Sequence, residues 1–434
     1  MDTTIQILGE RRVRSPLHRL GPLGVHFRTQ QNRILYDHSI EGFREAQAQG
    51  GDPISFELAG PREWLFFEPS RVRAGIVTCG GLCPGLNDII RGLVMELSHR
   101  YGVSTIYGFR YGYEGLIPRL GHIPLTLRPD QVTAIHTVGG TILGTSRGPQ
   151  ECGVMVDTLE EMDLDLLFVI GGDGSLRGAA ELTREIARRG LSKSVIGIPK
   201  TIDNDIQFLD KSFGFETAFA EAVKAITSAH IEAVGSPNGV GLVKLMGRDS
   251  GFIACFAALA GNVVNYVLIP EVPFQLDGPR GLLESLRYRL AKQRHAVIVV
   301  AEGAGQDLIP AHSGGGTDAS GNRRFGDIGL FLKQRITDFC AERRLEINLK
   351  YIDPSYLIRS VPASPQDNVY CSHLAQHAVH AAMAGKTGML VGRWHGTFVH
   401  LPLELVSNGR RKVQPQGDLW HAVLAATGQP ASFC

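Results

Sequence analysis

From residue 72 onward the chain alternates between short unbroken apolar runs and longer stretches whose apolar positions recur every three or four residues. Runs at 72–78, 104–109, 164–170, 194–199, 240–246, 266–270, 296–301, 347–352 and 389–391 predict strands. The stretches at 89–100, 176–189, 216–233, 250–260, 279–293, 328–344 and 368–385 predict helices. In 216–233, for example, Ala218, Phe219, Ala222, Val223, Ile226 and Ala229 lie along one face. Asn87 or Asp88 is placed to cap the first helix. Strands that are apolar throughout, rather than on alternate residues, belong in parallel sheets covered on both faces. The fold expected is therefore α/β, doubly wound and largely parallel. Residues 1–70 break from this pattern and read as an N-terminal extension, and a polar Gly/Ser/Asp stretch at 312–322 reads as a loop.

In such sheets ligands sit beyond the carboxyl ends of the strands, and the unusual residues of this chain collect there. After the first strand, Gly80 and Gly81 let backbone approach a phosphate, and the next helix aims free N–H groups at the same place. An ordinary tight turn would look the same. Gly171-Gly172-Asp173-Gly174-Ser175 says more. Asp173 has no packing role among glycines and would repel phosphates unless a cation intervened. Mg²⁺, held by one or two carboxylates plus nucleotide oxygens, meets that demand. Capping of the next helix is the plainer role for Asp173, although Ser175 is better placed for it. A third Gly-rich loop, 140–148, ends in Arg147 and Gly148; that cation would either offset a nucleotide phosphate or simply be solvated. Ala384-Gly385-Lys386-Thr387 imitates the end of a P-loop, but His380 stands where its first Gly is required, so Gly385 reads as a helix stop.

Pro199-Lys200-Thr201-Ile202-Asp203-Asn204-Asp205 concentrates charge at another strand end. In extended backbone Asp203 and Asp205 face the same way. Such a pair beside Lys200 suits removal of a proton from an alcohol. One carboxylate acts as base, the other supports it or a metal, and Lys200 offsets their repulsion. An Asx-turn cluster is the alternative. Met246-Gly247-Arg248 ends a further strand and offers Arg248 as a clamp on a transferring phosphoryl group. Glu302 is a hydroxyl acceptor of the kind sugar sites use. Lys350, Tyr356 and Arg359 group a phenol with two cations, which suits a sugar phosphate.

Composition narrows the class. The 434 residues suffice for two or more domains, and 43% hydrophobic with 20% charged residues is ordinary for a globular protein. A formal net charge of +1 gives no sign of nucleic-acid or membrane partners. The seven cysteines are scattered, and Cys79 and Cys83 lack a second pair at zinc spacing, so reduced thiols are expected. No apolar core follows the charges of residues 1–11, as a signal peptide would require, and no run approaches the roughly 18 residues of a membrane span. A cytoplasmic protein is expected.

Taken in order, GGLCPGLND, GTSRG, GGDGS, PKTIDND, MGRDSG, AEGAGQ and KYIDPSYLIR resemble the phosphofructokinase family, in its plant and trypanosome ATP-dependent branch. The resemblance runs from about Glu57 to Pro402. It implies two α/β domains with the active site between them. The division expected is an extension at 1–70, a nucleotide-binding domain of 71–214 with 360–410, a sugar-phosphate domain of 215–359, and a tail at 411–434. It also implies transfer of the γ-phosphoryl of MgATP to the 1-hydroxyl of fructose 6-phosphate, in a homodimer or homotetramer. Carried over, Gly81, Arg147, Gly148, Gly172, Asp173, Gly174 and Ser175 make the ATP site, with Asp173 on Mg²⁺. Thr201, Ile202 and Asp203 contact the sugar, with Asp203 as base. Met246, Gly247, Arg248, Glu302, Tyr356, Leu357, Ile358 and Arg359 bind fructose 6-phosphate, and Arg248 also stabilises the transition state. Two positions depart from the bacterial pattern: Gly239 stands where a subunit-bridging Arg is usual, and Tyr356 where His is.

Gly174 and Lys200 bear on the phosphate donor. Pyrophosphate users of this family resemble GGDD…PKTIDND, and bacterial ATP users GGDG…PGTIDND; this chain carries Gly174 with Lys200. A carboxylate at 174 would repel and fill the space of the nucleotide α-phosphate, whereas Lys200 excludes nothing, so ATP is the donor expected. A pyrophosphate-dependent enzyme is the alternative. A non-catalytic sensor of nucleotide or sugar phosphate, or a kinase of another acceptor, is more remote.

Overall fold

Each predicted strand and helix forms, within a few residues of its expected bounds, in a computed structural model that describes residues 1–48, 50, 52–310, 316, 324–407 and 409–433. The loop expected at 312–322 lies outside the described residues, apart from Gly316. The chain divides into two units. One comprises 1–201, 206–214 and 361–409, the other 202–205, 215–360 and 410–434.

The first unit is built on a nine-stranded sheet in the order Arg33–Leu35, Ser55–Leu58, Thr397–Pro402, Met389–Trp394, Ser194–Pro199, Leu166–Gly171, Arg73–Thr78, Thr105–Phe109, Leu125–Thr126. From Met389–Trp394 to Thr105–Phe109 neighbouring strands are parallel, and the flanking ones are antiparallel. The strands Leu166–Gly171 and Ser194–Pro199 are buried along their whole length, which is why neither shows alternation in the sequence. The expected extension thus contributes two strands to this sheet, three and four residues long, too short for periodicity to expose. Strand order reverses beside Arg73–Thr78: the next strand in the chain lies on one side of it and Leu166–Gly171 on the other. That switch point is where such sheets bind ligands.

The second unit holds a four-stranded, wholly parallel sheet in the order Tyr266–Leu268, His295–Ala301, Gly239–Leu245, Asn348–Ile352. Its order reverses around Gly239–Leu245. Residues 411–434, expected as a tail, instead carry the helix Asp418–Thr427, and Gln429 caps the sheet by accepting from Val267 N (2.6 Å) and donating to Val267 O (3.2 Å). Gly239 is buried at the start of its strand, and a Cβ there would lie 2.0 Å from the backbone oxygen of Ala233. No side chain fits, so the missing Arg is excluded by packing. Gly239→Ala is expected to destabilise the fold by about 1–3 kcal/mol, the usual cost of overpacking, read as a lower urea midpoint.

Two helix starts differ from expectation. The helix expected at 89–100 is Leu86–Met95, continuing in wider turns through Glu96–Tyr101. Gly85, at φ 101°, turns the chain into it, so Asn87 and Asp88 lie inside the helix and neither caps it. The helix after GGDGS is Asp173–Arg188, with Gly172 at its N-cap. Ser175 is inside its first turn and does not cap. Among the described residues no helix is long and apolar enough to cross a membrane.

Candidate active site

In the first unit, three loops converge at the switch point. Cys79 N donates to Ile170 O (2.9 Å), which sets the Gly80-Gly81 loop beside the GGDGS strand. Gly80 N donates to Ser146 O (3.0 Å) and Thr145 Oγ1 to Gly80 O (2.5 Å), tying the 140–148 loop to the same place. Asn87, freed from capping, holds that loop: its side chain donates to Val138 O and accepts from Ile142 N, at 3.0 and 2.9 Å. Lys200 is buried, and its Nζ donates to Gly81 O at 2.8 Å. Burial of a charged ammonium is costly unless partners offset it, so its carbonyl partner fixes it under the glycine loop.

Asp173 begins its helix, where the dipole favours an anion, and pairs with Arg177 one turn on at 3.1 Å. Gly174 is exposed, and a Cβ there would find Arg177 Nη2 at 4.0 Å and nothing nearer. Internal packing therefore does not require a glycine at 174. Gly172 is tighter, its Cβ position 3.2 Å from Lys200 O. Arg147 is exposed and Gly148, with φ 100°, turns the chain after it. Tyr113 donates to Ser175 O at 2.6 Å, and Ser212 Oγ to Thr201 O at 2.5 Å, so both positions serve the frame through their backbone.

Among the described residues no group of three or more His, Cys, Asp or Glu side chains is placed to hold a metal ion. A protein cage is thus absent there, but Mg²⁺ typically keeps waters and takes one or two carboxylates plus substrate phosphates. Asp173, a part-exposed hard oxygen donor beside the glycine loops, fits a cation of that kind.

The P-loop imitation resolves differently. Gly385, at φ 72°, ends the helix Pro365–Met383. Lys386 is fully buried, with Nζ 2.8 and 2.9 Å from the two oxygens of Glu57. Burial pulls the Lys386 ammonium down to about 8 against the pull of Glu57. Burial would raise the Glu57 carboxyl, but His400, Lys386 and Arg62 hold it well below its usual range. Lys386 is a structural cation. Lys386→Met is expected to cost about 3 kcal/mol, as for breaking a buried pair, seen as a lower melting temperature with the KM for nucleotide unchanged.

In the second unit, carboxylates and cations gather beyond the strand ends. Asp203 and Asp205 lie beside Asp249 and Arg410. Arg410 Nη1 is 3.5 Å from Asp205 Oδ2 and is hydrogen-bonded to Asp249, while Ser250 Oγ donates to Asp203 O at 3.2 Å. Burial, then the like charges of Asp205 and Glu302, push the Asp203 carboxyl well above the usual range; Arg410 opposes them and Asp249 adds to them. A base poised nearer neutrality is what proton abstraction needs.

Glu302 follows its strand directly, its N–H donating to Leu245 O at 2.9 Å. Burial raises its carboxyl, while Arg248, Lys244 and Arg359 pull it down and Asp353 pushes it up. Arg248 lies over the Phe325 ring at 5.1 Å, and Gly247 accepts from Gly303 N at 3.0 Å. Met246 is half-buried and Ile202 buried. Ile358, fully buried, anchors the turn Leu357–Arg359 and leaves Tyr356 and Leu357 exposed, with Arg359 over the Tyr356 ring at 4.9 Å. Lys350 is exposed in the edge strand Asn348–Ile352.

Sequence reasoning missed Lys244, Asp249, Asp353 and Arg410. Lys244 bridges Asp327 and Asp353 at 2.9 and 2.8 Å. Asp249 sits one residue past Arg248, and Arg410 opens an Arg-Arg-Lys run. Both signals are visible in the sequence, but neither says what it faces. None of the described cysteines is in a disulfide, and burial pushes Cys79 up to about 12, leaving it an inert thiol.

Glycine loops at one switch point and a carboxylate–arginine cluster beyond strand ends define an α/β phosphotransferase architecture. Comparison with known proteins narrows the class. The phosphofructokinase family model matches residues 73–382. A protein of Amycolatopsis methanolica named ATP-dependent 6-phosphofructokinase is 51% identical over all of this chain and 96% of its own length. One of the same name from Borreliella burgdorferi is 47% identical over 100% and 98%, and one from Trypanosoma brucei brucei 46% identical over 86% and 77%. The likeness therefore extends beyond 57–402 to the whole chain. In fold, the chain is similar to a pyrophosphate-dependent phosphofructokinase from Marinobacter aquaeolei, with TM-score 0.67 at 22% identity over 83% of this chain and 93% of that one. This chain belongs to the phosphofructokinase family.

Proposed function

We propose that this chain is an ATP-dependent 6-phosphofructokinase, phosphorylating the 1-hydroxyl of fructose 6-phosphate. The observation that carries the proposal is the end-to-end likeness, at 51% and 47% identity, to relatives that bear that name. The open position at Gly174 supports it, since nothing in the fold itself requires a glycine there.

In this reading the Gly80-Gly81, Arg147-Gly148 and Gly172-Asp173-Gly174-Ser175 segments hold the nucleotide, and Asp173 would hold Mg²⁺. When bound there, the cation would neutralise charge on the transferring phosphate. Thr201, Ile202, Met246, Gly247, Glu302 and Tyr356 to Arg359 orient the sugar phosphate. Asp203 takes the proton of the 1-hydroxyl, whose oxygen bonds to the γ-phosphorus as the bond to the bridging oxygen breaks and ADP leaves. Arg248 and Lys200 offset charge on the moving phosphoryl group. Chain continuity supports joint action of Lys200 and Asp203, since three residues of chain span at most about 11 Å. A cytoplasmic homodimer or homotetramer completes the proposal, tested by light scattering of the purified protein.

The deciding assay supplies fructose 6-phosphate with ATP or with pyrophosphate in parallel. Turnover with ATP is expected. Turnover with pyrophosphate alone overturns the assignment of donor, and no turnover with either overturns the assignment as an enzyme.

A further inference from the structure

We infer that Arg410, supplied by the C-terminal segment, is a positioning residue that holds the Asp203–Asp205 carboxylates for proton abstraction; this rests on the kinase reading above. Its guanidinium reaches two carboxylates of the second unit at once, Asp205 Oδ2 at 3.5 Å and Asp249 through a close hydrogen bond. The neighbouring backbone adds a third tie, Arg411 N donating to Asp205 O at 2.7 Å. Side-chain exposure is 27% for Arg410 and 11% for Asp205, so the contact is screened much less than a surface pair.

The segment that carries Arg410 is itself anchored. Val413 N donates to Glu271 Oε1 at 2.8 Å, and the same oxygen accepts from Gly251 N at 3.0 Å. Glu271 thereby joins the C-terminal strand of chain to the loop that follows Asp249. Farther on, Gln429 bonds both backbone groups of Val267, and Gln275 N donates to Phe433 O at 2.8 Å. A flexible tail would lose side-chain and backbone freedom each time it bridged the acids. Here that ordering is already in place, so the arginine meets the carboxylates preorganised.

Among the described residues, the charged groups that act most strongly on Asp203 include the anions Asp205, Glu302 and Asp249 and the cation Arg410, which offsets them. Without it, a base with several like-charged neighbours would keep its proton and be a poor acceptor near neutral pH. Replacing a cation at this distance moves a carboxyl by on the order of one pH unit or more.

The test is the pH dependence of kcat with saturating ATP and fructose 6-phosphate, on the full-length enzyme and two variants. Arg410→Gln is expected to move the acid limb up by about one unit and to lower kcat near pH 7 by about tenfold, with recovery at higher pH. Asp249→Asn, which removes an anion, is expected to move the same limb down. Arg410→Lys should keep the limb close to that of the parent. A merely structural role would lower all rates without moving the limb in opposite directions. Thermal melts establish that each variant is folded. If folded Arg410→Gln shows the parental limb and kcat, or if both neutralising variants shift the limb the same way, the inference is overturned. A parent enzyme inactive on fructose 6-phosphate overturns the kinase reading instead, which separates the two failures.

Discussion

Asp203→Asn should lower kcat by about 10²–10⁴, the usual worth of a general base, while raising the stability of the folded protein at neutral pH. The two effects share one cause. Burial and the like charges of Asp205 and Glu302 raise the Asp203 carboxyl well above its ordinary range. The folded state therefore prefers the proton more than the unfolded chain does. Below the unfolded value, about 3.9, aspartate is protonated in both states and costs nothing. As pH rises through the raised folded value, ionisation of the buried group destabilises the fold. Asparagine never ionises, so its advantage in urea or thermal unfolding should be absent at low pH and full above the folded value. Activity should show the reverse, since the base works only when ionised: the parent loses rate as pH falls through the raised value. A variant with near-parental kcat would remove Asp203 from the chemistry. A variant that is slow and also less stable at neutral pH would mark Asp203 as a structural group.

Gly174→Asp should abolish most use of ATP without harming the fold. The nearest atom to a Cβ at 174 is Arg177 Nη2 at 4.0 Å, so the protein accommodates the side chain. The new carboxylate would stand next to Asp173 and the glycine loops, where a nucleotide phosphate is proposed to lie. Like charges juxtaposed in a binding site cost several kcal/mol, which at about 1.4 kcal/mol per tenfold predicts a loss of roughly 10²–10³ in kcat/KM for ATP. The melting temperature should stay near that of the parent. Pyrophosphate, which needs no room for an α-phosphate and nucleoside, should lose less, so the ratio of the two kcat/KM values reports the effect directly. An unchanged ratio would show that Gly174 does not discriminate between donors.

The motifs themselves were legible because each combines a strand end with residues that have no packing reason to be there. GGDGS and PKTIDND are such stretches, and the order of seven motifs indicated the family. Tertiary geometry corrected what the motifs suggested locally. Asn87 looked like a helix cap and instead clamps the 140–148 loop through Val138 and Ile142. Lys244, two residues before Met246, carries no signal along the chain and lies inside the charged cluster, between Asp327 and Asp353. Gly239 looked like the loss of a functional arginine, and its neighbours leave no space for any side chain. The strands of the N-terminal segment were invisible because three or four residues carry too little periodicity to read.

Sequence alone determined the α/β class, the family and the residue types available for phosphoryl transfer, since apolar runs and motif spacing are properties of neighbours along the chain. Only the tertiary structure decided which charges face one another. Arg410 lies more than 200 residues from Asp205, yet meets it at 3.5 Å. Lys386, 329 residues from Glu57 along the chain, is buried against it. Charges act through space at a few ångströms, and no pattern along the chain encodes that distance until helices and strands pack.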